Sequence, residues 1–558
     1  MRRLAALLVL AAVPGAALAQ ASPSAFTTGY RYDAAHRVTG TIAPDPDGAG
    51  PLHYLAVRNS YDAAGRLVRV EKGELAAWQS EAVAPPAWSG FTVKERVETT
   101  YDALDRKAAE SAVDPSTGAA LTLTQTSYDN VGRLECIAVR MNLAAFGAGT
   151  PACQLGAQGS DGPDRITRNW YNEAGELLRV QKAVGVAGLE QDYVTYQYTD
   201  DGKQRSVTDA NGNRAELIYD GHDRQRRWIF PAASGAKVAN QNDYEEYGYD
   251  PNGNRTSLRK RDGVTLTYSY DALNRVTQKA VPASATLAAG YTVTYGYDNR
   301  SLQLSAAFAG GGSISNSYDN AGRLQAAVTT LAGVPRTISY AYDADGNTYQ
   351  TSTSAGYVLQ SVYDGLDRMT ALRQADGTTV ATITYDVGGR RSGTGYGPGG
   401  TSSAGYGYDQ AGRLQAQTHD LLSSGADQSV TFGYNAASQL VSEARLNGAY
   451  AANAAQNVNW SYGVNGLNQY TGVGPNTYSY DLNGNLTGDG VSTYVYDAEN
   501  RLVTRTGGVS LAYDPNGRLW QVTGSSGTTR LEYDGDKLVE EFNGAGTQLR
   551  VYAHGPGV

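Results

Sequence analysis

Three stretches of the chain place hard oxygen ligands close together in a short span: "DANGNR" from Asp209, "DPNGNR" from Asp250 and "DLNGNL" from Asp481. Carboxylate and amide oxygens at alternate positions suit calcium. The later bidentate Glu of an EF-hand loop is missing, however, and Asp, Asn and Gly are also what a chain needs simply to turn. Turn chemistry is therefore the expectation. Five histidines, His36, His53, His222, His419 and His554, are scattered without metal-ligand spacing and read as surface or turn residues. No nucleophile elbow and no phosphate loop occur, and the Gly-rich "AGGGS" at 309–313 and "GYGPGG" at 395–400 lack the strand-to-helix setting of a phosphate cradle. Carboxylate pairs for glycoside hydrolysis could be assembled from the many Asp residues. But Asp recurs after Tyr along the chain, and a catalytic carboxylate has no reason to recur. No catalytic, cofactor or metal residue is predicted, and no enzyme activity.

The two cysteines, Cys136 and Cys153, share one stretch, "LECIAVRMNLAAFGAGTPACQLG". A redox or metal pair wants closer spacing and more ligands. A structural disulfide is expected, stapling this excursion and stabilising it by roughly 3 kcal/mol in the chain-entropy model.

The elements that must carry these residues follow from composition. Tyr occurs 40 times against Phe 7, Gly 66 times, and 18% of residues are charged. That mix is poor for helices and suits strands joined by tight turns. A net charge of −9 without a long basic run excludes a nucleic-acid footprint. Arg2 and Arg3, the apolar run Leu4 to Val13 and the small residues Ala17, Leu18 and Ala19 read as a signal peptide over 1–19. The mature chain then starts near Gln20, in the periplasm, at the cell surface or outside. No later segment is apolar enough to cross a membrane.

Tyr-Asp pairs recur from Tyr32 to Tyr533, mostly 21 to 27 residues apart between Tyr249 and Tyr408. Before each pair the residues alternate. "YTVTYGYD" puts Tyr291, Val293, Tyr295 and Tyr297 on one face, and "TLTYSYD" does the same with Leu266, Tyr268 and Tyr270. After the pair comes turn chemistry, then a second alternating run, as in Leu324, Ala326 and Val328. Each unit reads as a β-hairpin. The fold class is all-β, with tandem hairpins sharing ladders in one long antiparallel sheet that twists and coils. Tyr suits a face that packs yet tolerates water, which hints at a hollow interior. Residues 20–240 form an irregular part with insertions, including the cysteine excursion, and 241–558 a regular array.

The form "YDxxGRL" occurs at Tyr61, Asp62, Gly65 and Arg66; Tyr128, Asp129, Gly132 and Arg133; Tyr318, Asp319, Gly322 and Arg323; Tyr408, Asp409, Gly412 and Arg413; and Tyr513, Asp514, Gly517 and Arg518. It closely resembles the YD repeats of Rhs proteins, also found in Tc toxin cocoons and teneurins, over nearly the whole mature chain. The resemblance implies a spiral of hairpins forming a hollow shell, which in many members encloses a C-terminal toxin behind a self-cleaving core segment. Residues Arg550 to Val558 look like the entrance to that segment, so the core and toxin are expected as partners encoded downstream. The expected function is an exported structural shell. The alternative is a cell-surface, carbohydrate-binding protein of the same architecture, with Trp78, Trp88, Trp170 and Trp228 as contacts to surface glycans.

Overall fold

The computed structural model describes residues 27–48, 50–284, 289–450 and 459–555; the expected signal peptide lies outside them. Among the described residues the chain forms strands and a few short 3-10 turns, and no helix is long and apolar enough to cross a membrane. The strands pair antiparallel with their sequence neighbours. One 32-stranded sheet holds the strands from Gly29–Tyr32 to Leu440–Arg445, and sheets of three, two and seven strands follow up to Gln548–Val551.

The alternating runs form strands because period-2 patterning gives each a half-buried face. In Thr265–Tyr270, Leu266 is buried while Thr265, Thr267 and Ser269 are exposed. The return strands differ from expectation. Ser317 pairs with Ala326 but Tyr318 pairs with Leu324, leaving Gln325 as an extra residue. Such a bulge flips the alternation by one. Leu324 therefore shares the face of Tyr318 with Ala327 and buried Thr329, while Ala326 and Val328 take the other face, correcting the predicted grouping. The same slip precedes Tyr61, Tyr128, Tyr408 and Tyr513.

A bulge in each unit adds twist, and the strip coils back on itself. Lys72 Nζ donates to the Gly388 carbonyl, 316 residues away. Asn468 reaches Asp209 across 259 residues, Lys279 meets Glu499 across 220, Tyr340 meets Asp534 across 194 and Thr353 meets Glu540 across 187. Both partners advance together while the gap shrinks, so the later turn of the coil is the tighter one. It lies against the face that carries the repeat tyrosines: Ala498 packs on Leu266, Val281, Tyr268 and Tyr291. That face is the inner one.

The outer face is covered early in the chain. Trp88 lies on Ile42, Ala56 and Leu75, with Trp78 beside it, and the excursion after Cys136 lays Ala152 over Cys136, Ala138 and Ile166. Away from these covers and from the inner seam the wall is one sheet thick. The accessible surface is 30907 Å², against roughly 19,000 Å² for a compact protein of this mass.

Candidate functional site

The recurring Tyr-Asp turn is the first constellation. Asp319 N–H donates to the Arg323 carbonyl and Gly322 N–H to the Asp319 carbonyl, closing the turn with Gly322 at φ 84°. Oδ1 of Asp319 accepts from the Arg323 amide at 2.9 Å and Oδ2 from Arg323 Nε at 2.7 Å. The Arg323 amide and guanidinium hold the Asp319 carboxyl below its usual range. The guanidinium then sits 4.5 Å from the ring centre of Tyr342, the tyrosine of the next unit. Tyr342 in turn donates its hydroxyl to the Leu324 carbonyl at 2.8 Å. One Arg thus ties its own turn to the next by a hydrogen-bonded ion pair and a cation–π contact.

The device repeats with Asp62, Arg66 and Tyr101; Asp129, Arg133 and Tyr171; Asp409, Arg413 and Tyr434; and Asp514, Arg518 and Tyr533. Tyr61 and Tyr128 are gripped by Arg37 and Arg106 of the preceding turns. Gly65, Gly132, Gly412 and Gly517 all have positive φ. The Asp–Arg half has a sequence signal, since the two are four residues apart; the grip on the next Tyr has none until pairing is known.

In the stretches first weighed as calcium loops, Asn takes the place of Arg. Asp250 accepts from Asn254 Nδ2 at 2.8 Å and Asp481 from Asn485 Nδ2 at 2.9 Å. Asp209 accepts from Asn468 Nδ2 at 2.7 Å. These carboxylates are occupied by N–H donors, as turn residues should be. Each histidine has its own local setting: His554 meets the Leu538 carbonyl, His419 meets Gln417, His53 lies 3.5 Å from Glu74, the His222 amide donates to Asp220, and His36 is a left-handed turn residue. Among the described residues, the group of metal-type side chains is Glu135, Cys136 and Cys153, and the two cysteines are joined in a disulfide.

The second constellation is the seam between coil turns. Glu499, from a later Tyr-Asp turn, accepts from Lys279 Nζ at 2.5 Å and from the Tyr291 hydroxyl, while Arg501 lies 3.1 Å away. Burial raises the Glu499 carboxyl, but Lys279, Tyr291 and Arg501 outweigh it and hold the group below its usual range. Tyr340 donates to Asp534 at 2.6 Å, and burial with that carboxylate pushes its phenol up. Beside this contact a cavity of about 390 Å³ is lined by Tyr340, Tyr342, Tyr357, Tyr363, Tyr552 and His554.

Of the tryptophans expected as sugar contacts, Trp78, Trp88 and Trp170 are taken up in packing, while Trp228 is half-buried and lines an open pocket with Asp209, Asn213 and Asn468. Trp88 is buried and Trp78 lies against Tyr54 and the flat surface left by Gly29, where a Cβ would meet its ring at 2.7 Å. Trp170 is sandwiched between Arg168 and Arg179, and Trp228 packs edge-on with Phe230. Large rings fill the coverings of a thin sheet before they serve a ligand.

A family profile described as RHS Repeat matches residues 249–285. No curated protein matches the chain significantly. Among solved structures, the crystal structure of TcdB2-TccC3-Cdc42 is similar with a TM-score of 0.47 at 14% identity, over 92% of this chain and 31% of that one. TcdB2-TccC3-TEV gives 0.46 at 15%, over 92% and 30%. A Photorhabdus luminescens Tc holotoxin pore gives 0.44 at 16%, over 92% and 29%. The chain spans about a third of the length of these structures. The matched window opens on Tyr249 and Asp250 and contains the stapled turn Asp271 to Arg275. That turn recurs from Asp33 to Arg518, so the stretch similar to the RHS Repeat profile is one copy of a unit that this chain repeats along its described length.

Proposed function

We propose that this chain is the wall of a hollow, exported shell whose work is structural: it curves around another polypeptide, such as a toxin segment encoded downstream, and keeps it from the surroundings. The observation that carries this is the one-layer coil whose later turn closes onto the inner face, with contacts that tighten from 316 to 187 residues of separation. A wall of this kind needs no catalytic residue. Its recurring carboxylates serve the turns, and its tyrosines leave a hydroxyl-rich inner surface on which a guest chain can lie without being gripped.

Small-angle scattering on the purified mature chain tests the shape. A compact protein of this length has a radius of gyration of roughly 24 Å, and a shell must exceed it by several ångströms with a pair-distance curve skewed to long vectors. A solid-globule profile would remove the enclosing role. Mass spectrometry of the secreted chain tests export, with a mature N-terminus at Gln20 as the expected result.

A further inference from the structure

At the inner end of the coil two carboxylates face each other across adjacent strands. Glu532, on Gly527–Asp534, pairs directly with Glu540, on Lys537–Asn543, and both are buried, at 4% and 2% exposure. Like charges directly opposite in a ladder repel, and burial strengthens the repulsion. Arg336 feels both charges and Arg518 feels that of Glu532, but neither pairs directly with a glutamate of the pair. Thr329 of the outer turn stands beside Glu532 and acts to lower its carboxyl. Thr353 and Gln548 both donate to Glu540 Oε1, at 2.8 and 2.7 Å. Arg336 lies 3.4 Å from the Phe542 ring centre, Arg518 is taken by Asp514 and the Gly535 carbonyl, and Arg530 turns to Gln521. Among the described residues no cation stands within ion-pair distance of either glutamate.

We propose that Glu532 and Glu540 form a proton-held latch: with a proton on the pair the last hairpins lie against the inner wall, and loss of that proton to solvent drives them off it. The surface on which they close belongs to Leu324–Leu331 and Val334–Tyr342, so the latch governs whether the coil's tip is seated or free. It is a property of the coil itself and holds whether or not the enclosed space carries cargo. Burial pushes the Glu532 carboxyl up to about 7, against Thr329, Arg336 and Arg518, with the Glu540 charge adding to the rise. A carboxyl raised from 4.5 in this way favours the seated state fully below that value. The hold weakens as pH climbs towards 7 and is not recovered above it.

Hydrogen exchange on the full chain tests this, after correction for the intrinsic pH dependence of exchange. Between pH 5 and pH 8 opening of the 527–543 segment should rise on the order of fifty-fold, while 313–323 in the main sheet changes much less. Glu532→Gln should abolish the difference and keep the segment protected at both pH values. Glu540→Gln, which removes the like-charge contribution but leaves Glu532 buried, should shrink the difference without abolishing it, and serves if the first variant does not fold. Equal protection of 527–543 at both pH values in the unaltered chain would overturn the latch, as would an unchanged pH response in the folded variants.

Discussion

Between Gly29 and Lys182 the face of the sheet that is covered is the outer one: the loop bearing Trp78 and Trp88 lies on Ile42, Ala56 and Leu75, and the disulfide-closed excursion lies on Cys136, Ala138 and Ile166. Between Leu266 and Ile338 the covered face is the inner one, and the cover is the chain's own later coil, through Ala498, Glu499, Glu532 and Phe542. The hairpin unit is the same in both regions. What differs is the source of the second layer. A single sheet cannot dry either of its faces alone, so a buried core appears wherever something is laid on it. Long insertions supply it locally; coiling supplies it at a distance.

The comparison can be tested in four ways. Acid should act on both regions at once and most strongly, because the stapled turn recurs throughout. The Arg224 guanidinium, with backbone amides, pulls the Asp220 carboxyl down to about 2 from an ordinary 3.8, and Asp62, Asp102 and Asp271 are lowered in the same sense. Their contribution is present above about pH 4 and is lost as pH falls towards about 2. Circular dichroism and exchange of turn amides should therefore show one broad, chain-wide loss in that window. Loss confined to one region would mean that the staple is not the shared element.

Arg140→Ala should break only the outer cover. Arg140 is 6% exposed, pairs with Asp164 at 2.7 Å and also holds the carbonyls of Thr150, Pro151 and Gln154. Leaving Asp164 without its partner costs about 3–5 kcal/mol. Proteolytic nicking inside 141–164 should appear while protection of 494–505 stays unchanged. Leu266→Ala makes the reverse cut, opening a void beneath Ala498 at a cost of about 2–3 kcal/mol. Exchange should then quicken at 494–505 and leave the disulfide excursion untouched. If the two variants loosened the same peptides, the two covers would not be independent. Gly322→Ala, in the turn that both regions share, should cost only about 1 kcal/mol in a thermal melt, through its positive φ. Asn at that place should cost less, since Asn274 and Asn500 hold the corresponding position in other units.

Much of this was legible in the residues. Alternation before each Tyr-Asp pair marked the strands, and Asp with Gly marked the turns, because both depend on neighbours within a few residues. The bulge ahead of each tyrosine was not legible: one skipped residue, such as Gln325, leaves the composition of the strand untouched and shows only in the pairing. The roles of Trp78 and Trp88 were not legible for a related reason. A ring that fills a cover and a ring that meets a sugar look alike until the surface opposite, here Gly29 beneath Trp78, is in place.

The chain by itself determined the all-β class, the hairpin unit and its Asp–Arg half-staple, since period-2 burial and contacts across four residues are written in local order. Only the tertiary structure decided which face is inner, which turns of the coil meet, and that Glu532 comes to lie buried opposite Glu540. Those outcomes rest on twist summed over many bulged hairpins. A small change per unit, accumulated across roughly two hundred residues or more, selects the partner.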